Sequence, residues 1–241
     1  MTAPTTAAAG YINTLLPTGY SLVVNPLNNT GPMGNTVTNL FGSYNTALSD
    51  GDVIQKWTGS GYQNFNYFGD GYWEDENFNP VAATTLAVGD GAVVYNSDSA
   101  GVNTFIGEVD GIISIDPIVL EPVLTPAPGI YLRGRIFPAA PGTFENIMGR
   151  APIDFDAVLK LDTAGNPLIS YFMGGEWFDP LGGNTAPTLF VGEAAFFDTT
   201  GGAFSGFVLP SGITVPEPTA VTLGIVCLFA TALRQRRTNR S

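Results

Sequence analysis

The chain has 241 residues, of which 44% are hydrophobic and only 12% are charged, and it contains 30 glycines and 18 prolines. This composition excludes an intrinsically disordered chain and favours short strands joined by turns over helices, whose surfaces are usually rich in Glu, Lys and Arg. The net charge of −12 argues against a nucleic-acid partner, because an acidic protein repels phosphate backbones.

The predicted strands follow an N-terminal segment, residues 1–16. Short runs of β-branched, aromatic and apolar residues that are bounded by Gly, Asp or Asn are typical of strands. In residues 17–110 these runs are 53–57, 62–68 and 92–95, and in residues 127–214 they are 158–161, 168–172 and 195–197. Residues 39–44 and 143–148 are predicted to form short helical turns. The apolar stretch 111–126, which is interrupted by prolines, is interpreted as a connector.

The two strand-rich regions are degenerate copies of one unit. Similar blocks recur in the same order, three of the five at an offset of 103 or 104 residues. The matched blocks are 19–22 with 129–132, 52–57 with 156–161, 71–73 with 175–177, 86–95 with 189–198, and 105–107 with 204–206. The expected fold is therefore all-β, a duplicated unit that forms a sandwich or barrel-like body with a pseudo-twofold repeat. One compact body is favoured over two separate domains, because about 90 residues of short strands would leave many open edges.

The last segment, residues 215–241, has a different character from the rest of the chain. A glutamate between two prolines precedes an uncharged apolar run, 219–233, and arginines follow the run. As a helix, this run of 15 residues would span about 22 Å, short of a bilayer core of about 30 Å, but flanking arginines can snorkel to the interface. We expect a short transmembrane helix with its C-terminus in the cytoplasm and the body outside. The alternative is a buried core helix.

The order of these features resembles the PEP-CTERM sorting signal of exported bacterial proteins. The resemblance implies that an exosortase, an integral-membrane cysteine transpeptidase, recognises Pro216, Glu217 and Pro218, and that Arg234, Arg236 and Arg237 form the cytoplasmic stop. It also implies a Gram-negative cell-envelope or extracellular location, transient anchoring in the inner membrane, and a context of extracellular polysaccharide and biofilm. The resemblance covers about the last 27 residues and indicates a sorting route, not an activity.

The N-terminus departs from that family, whose members begin with a secretory signal peptide. Residues 1–10 have neither a basic n-region nor an apolar core. We therefore expect that the true start lies upstream of Met1 and that residues 7–9 lie near a cleavage site. The alternative is export that depends on the tail alone.

The sequence offers few groups for catalysis. It has no histidine, which removes His-based acid–base catalysis and most zinc sites, and its one cysteine, Cys227, lies in the apolar tail. It has no glycine motif for phosphates or dinucleotides, so no cofactor is expected. Paired carboxylates are the remaining option, and the acidic residues beside tryptophans are Glu74, Asp75, Glu76, Glu176 and Asp179. We expect these residues to lie in solvent-exposed loops and not to form the catalytic pair of a glycosidase, because adjacent like charges usually face water.

Two further interpretations concern calcium and sugars. Residues 50–52, 70–76 and 154–156 offer oxygen ligands without the spacing of a calcium loop, so no metal site is expected. Trp73 and Trp177 are at equivalent positions of the repeat, where they are either platforms for sugar stacking or anchors of the core. Their equivalence in a duplicated unit favours the core.

The expected function is non-enzymatic: an exported surface or extracellular-matrix protein that an exosortase-type transpeptidase sorts through its tail. The alternative is a carbohydrate-binding module with Trp73 and Trp177 as aromatic platforms. A carboxylate-dependent glycosidase is the least favoured. The expected partners are the exosortase-like membrane enzyme, extracellular polysaccharide, and the membrane before processing, but not nucleic acid. Exposure of the two tryptophans separates the first two functions, and a cleft holding two carboxylates would favour the third.

Overall fold

The structure, a computed structural model, describes residues 9–42, 48–68, 73–81, 84–109, 127–136, 142–179 and 183–210. The connector 111–126 and the tail 215–241 lie outside these residues, and so does the predicted transmembrane helix. None of the helices in the described part of the chain is long and apolar enough to cross a membrane.

The described residues are mostly β-strands with two short helices, which confirms the all-β prediction. The elements of the first half are β1 Ala9–Leu16, β2 Gly19–Val24, α1 Val37–Phe41, β3 Val53–Trp57, β4 Tyr62–Tyr67, β5 Trp73–Glu74, β6 Gly91–Asn96 and β7 Gly101–Glu108. Those of the second half are β8 Ile130–Gly134, α2 Phe144–Met148, β9 Ala157–Leu161, β10 Pro167–Met173, β11 Glu176–Phe178 and β12 Ala194–Asp198. All six strands predicted from short runs are present, with boundaries that differ by one residue at most.

Two five-stranded antiparallel sheets have the same plan. The first sheet has the order β2-β6-β3-β4-β5, and the second has the order β8-β12-β9-β10-β11. The strand registers also correspond, since Leu22 lies opposite Val93 in the first sheet as Leu132 lies opposite Phe196 in the second. In each five-stranded sheet, the helix lies in the chain between the sheet's first two strands, α1 between β2 and β3 and α2 between β8 and β9.

Alternation along the central strands divides the apolar side chains between two faces of each sheet. Val24 and Val93 lie in a core that the two sheets share, whereas their neighbours Val23 and Val94 lie in an outer core under α1. In the second sheet, Phe196 enters the shared core and Phe197 an outer core under α2. The two sheets therefore pack face to face through what we call the inter-sheet core.

Reciprocal contacts join the two sheets. Val23 of β2 forms a bridge with Glu193 just before β12, and Arg133 of β8 forms the matching bridge with Asp90 just before β6. The backbones approach closely there. A Cβ on Gly134 would lie 2.6 Å from the Cβ of Val24, so glycine is required at that position.

The ribbon of β1 and β7 was not predicted, and the described residues of the second half contain no counterpart to it. The two strands pair antiparallel over eight residues, so residues 9–16 of the predicted N-terminal segment form a strand. The ribbon places Phe105 against Phe41 in the first outer core, with ring centroids 5.5 Å apart. Phe204, which the sequence repeat matched to Phe105, lies instead in a turn and packs into the inter-sheet core. This block of the repeat is therefore not equivalent in the structure.

Candidate functional site

The sorting motif Pro216, Glu217 and Pro218 lies outside the described residues, as do Arg234, Arg236 and Arg237. Of the residues proposed from sequence, the structure therefore describes the two tryptophans and most of the acidic groups.

Both tryptophans are buried. Trp73 is 1% exposed and packs on Tyr67, at a centroid distance of 5.0 Å, and Trp177 is 6% exposed and packs between Phe144 and Phe172. The two positions match, because Trp73 lies opposite Tyr67 on the neighbouring strand and Trp177 lies opposite Phe172. Rings this deeply buried present no face to a sugar, so the platform role does not fit them in this arrangement.

Two of the acidic residues near Trp73 accept hydrogen bonds from neighbouring amides. The Asp75 carboxylate accepts hydrogen bonds from the backbone N–H of Asn79 and from its side chain, and these bonds lower the pKa of Asp75. Glu76 accepts a hydrogen bond from the side chain of Asn64 at 2.6 Å. Because β5 and β11 are the edge strands of different sheets, the acidic groups that accompany Trp73 and Trp177 belong to separate sheets.

The residues considered for calcium include two buried carboxylates. Asp52 accepts from the backbone N–H groups of Ser49 and Ser97 and from the Ser97 hydroxyl. Asp156 accepts from the backbone N–H of Ile153 and forms an ion pair with Arg150 at 2.6 Å. In the part of the chain that the structure describes, no three Asp, Glu, Cys or His side chains are grouped as a metal site would require.

A groove of about 190 Å³ lies where the start of β2 meets the end of β9 and the start of β12. Its apolar wall includes Tyr20, Leu22 and Leu161, and its polar wall includes Asp162 and Glu193. The groove therefore combines an aromatic ring with oxygen acceptors, which is the kind of lining that orients a small ligand.

Trp57 of the first half corresponds in the sequence repeat to Leu161, which lines the groove in the second half. Its indole N–H donates to the Ile130 carbonyl at 2.7 Å. The ring packs on Tyr62 and edge-on against Phe196 and Phe207, with centroid distances of 5.0, 5.9 and 5.4 Å respectively. Burial raises the pKa of Tyr62.

Sequence reasoning missed the groove. The repeat aligned 52–57 with 156–161 and so paired Trp57 with Leu161, a large ring with a smaller chain. That exchange was the available signal, since a space is left where one copy has the smaller residue.

Neighbouring groups engage both carboxylates at the groove. Glu193 pairs with Lys160 at 2.7 Å, and its second carboxylate oxygen accepts from the backbone N–H of Phe190. Hydrogen bonds from Asn166 lower the pKa of Asp162, and the bond from its side chain has a larger effect than the bond from its backbone. Burial, with a smaller contribution from Tyr95, raises the pKa of Tyr20, so its hydroxyl stays protonated.

Comparison of the chain with protein-family models, with curated proteins and with solved structures finds no match.

Proposed function

We propose that this protein is an exported, non-catalytic surface or extracellular-matrix protein, sorted through its tail by an exosortase-type transpeptidase. The observation that carries the proposal is the order of three features in residues 216–237: the Pro-Glu-Pro motif, the uncharged run and the arginines. The proposed location is the cell envelope or the extracellular space, after transient anchoring in the inner membrane. Extracellular polysaccharide is the proposed surrounding of the mature protein.

The described body is consistent with a scaffold role. Its buried carboxylates, Asp52 and Asp156, serve to hold loops at the start of β3 and β9. Both tryptophans lie in the cores. We further propose that the body is a two-sheet sandwich that arose by duplication of one β-unit. The equal strand order supports this, and so do matching contacts such as Lys56 to the Thr85 carbonyl and Lys160 to the Thr188 carbonyl.

The sorting proposal is tested by Glu217→Ala in a strain that contains the processing enzyme. The motif lies beyond the last described strand, so the change should block processing and leave the body folded. Processing is followed by gel mobility and by separation of membrane and soluble fractions. The control is Glu145→Ala, which removes an exposed acid of the body and should be processed as wild type. Normal processing of Glu217→Ala would show that the motif is not recognised.

A further inference from the structure

The groove exists because the two halves differ at one pair of equivalent residues. On one side, the indole of Trp57 fills the space and donates to the Ile130 carbonyl. On the other side, Leu161 is smaller and has no donor, and Tyr20 takes the place of Ile130. Among the described residues, no side chain donates to the Tyr20 carbonyl. A hydrogen bond that closes one side of the body is therefore missing at the groove.

The Tyr20 carbonyl points into the groove because of the geometry of β2. The Val24 N–H bonds the Gly192 carbonyl, outside the first sheet, so the backbone groups of Val24 point away from β6. Backbone groups along a strand alternate in direction, and those of Leu22 and Tyr20 therefore point the same way. The groove thus has a backbone acceptor in the position where Ile130 receives the indole.

The lining selects against charged ligands. No Lys or Arg is among the described residues that line the groove, so an anion would meet Asp162 and Glu193 without a cation in contact. A cation would have to compete with Lys160 for Glu193. Both carboxylates keep free lone pairs, since a carboxylate has about four acceptor sites. A neutral ligand with several O–H donors fits this set of acceptors.

The volume of the groove and its aromatic wall indicate a ligand that consists of one ring. The groove of about 190 Å³ has the volume of about six water molecules, at about 30 Å³ for each. Tyr20 offers an apolar ring with a protonated hydroxyl. We propose that this groove binds a single neutral sugar ring, with one ring hydroxyl donating to the Tyr20 carbonyl in place of the missing indole. The site is separate from the two buried tryptophans, and the proposal does not depend on the sorting tail.

The test uses the full-length chain in a buffer free of sugar-based detergents. Saturation-transfer NMR is recorded with methyl pyranosides of glucose, galactose, mannose and N-acetylglucosamine, and with N-acetyltryptophanamide as an aromatic probe. We expect transfer to at least one pyranoside, with a Kd of about 1 mM, because so small a ligand can make few contacts. Leu161→Trp should abolish this transfer by filling the groove as Trp57 fills the other side, and its melting temperature should equal or exceed that of wild type.

The control is Tyr11→Trp, which adds an indole at an exposed position of the ribbon and should leave pyranoside binding unchanged. If Leu161→Trp does not fold by circular dichroism, Thr163→Tyr takes its place. Thr163 is an exposed residue at the rim, where a larger side chain would overhang the groove, and binding should fall at least tenfold. Absence of transfer to every pyranoside would overturn the proposal, and so would undiminished transfer in a folded groove variant. Binding of the aromatic probe alone would also overturn it, in favour of a partner's aromatic side chain.

Discussion

Asp52 and Asp156 occupy matching positions just before β3 and β9, yet different groups hold their buried carboxylates. Ser97 holds Asp52 through its hydroxyl and its backbone N–H, whereas the guanidinium of Arg150 holds Asp156. The hydrogen bond with Asp156 raises the pKa of Arg150, so this side chain stays charged. The same local turn is therefore stabilised by neutral donors in one half and by an ion pair in the other.

This difference predicts that removing the partner of Asp156 lowers the free energy of unfolding more than removing the partner of Asp52. Arg150→Met leaves a buried carboxylate with one backbone donor and should lower the free energy of unfolding by about 3–5 kcal/mol. Ser97→Ala removes one hydroxyl, and backbone donors remain, so we expect about 1 kcal/mol. Chemical denaturation measures both values. Adding Asp156→Asn to Arg150→Met should recover part of the loss, since the uncompensated charge is gone; equal losses in the two single variants would contradict this account.

The sequence predicted the three central strands of each sheet because their patterns are local. The 103- or 104-residue offset placed Trp73 and Trp177 in equivalent positions, and the structure shows matching cross-strand neighbours for them. The ribbon was missed for the opposite reason. β1 pairs with a strand about 90 residues later, and no local signal marks such a contact.

The groove and the Phe204 turn were not predicted, for a related reason. Phe105 and Phe204 resemble each other in sequence, but the turn that Asp198 holds directs Phe204 into the inter-sheet core. The sequence did not mark Trp57 as a candidate, because its repeat partner is Leu161 and not a second tryptophan. Similarity between copies identified the common plan, whereas the candidate ligand site lies where the copies differ.

The buried tryptophans predict large losses of stability. Trp73→Ala and Trp177→Ala should each lower the free energy of unfolding by about 3–5 kcal/mol, through lost packing and the cavity left behind. Thermal and chemical denaturation provide the measurement. Phe190→Ala is the control, since that ring is 77% exposed and its removal should change stability by no more than about 0.5 kcal/mol. If both tryptophan variants melted like wild type and lost affinity for a polysaccharide, the platform function would replace the scaffold function.

The lowered pKa of Asp162 predicts that part of the protein's stability depends on pH. Its pKa in the folded protein is lowered from 3.8 by hydrogen bonds from Asn166, so its carboxylate contributes stability above that value and loses the contribution as the pH falls through the folded pKa. The stability difference between wild type and Asp162→Asn should be present near neutral pH and should shrink in strongly acidic solution. Denaturation at several pH values tests this. A difference that persisted after full protonation would show that hydrogen bonding to the charged form is not its source.

Trp57 yields the last prediction, because its indole joins β3 of the first sheet to β8 of the second. Trp57→Phe keeps a ring but leaves the Ile130 carbonyl without its donor, which should cost about 1–3 kcal/mol. Trp57→Ala should cost more and should also expose Tyr62, whose ring lies 5.0 Å away. Since burial raises the pKa of Tyr62, that pKa should fall toward about 10, the ordinary value for tyrosine, in the alanine variant. Ultraviolet titration of the phenol measures it, and Trp177→Phe, a change in the outer core under α2, should leave it unaltered. If the pKa of Tyr62 stayed high in Trp57→Ala, the other rings of the inter-sheet core, and not Trp57, would be what excludes water from Tyr62.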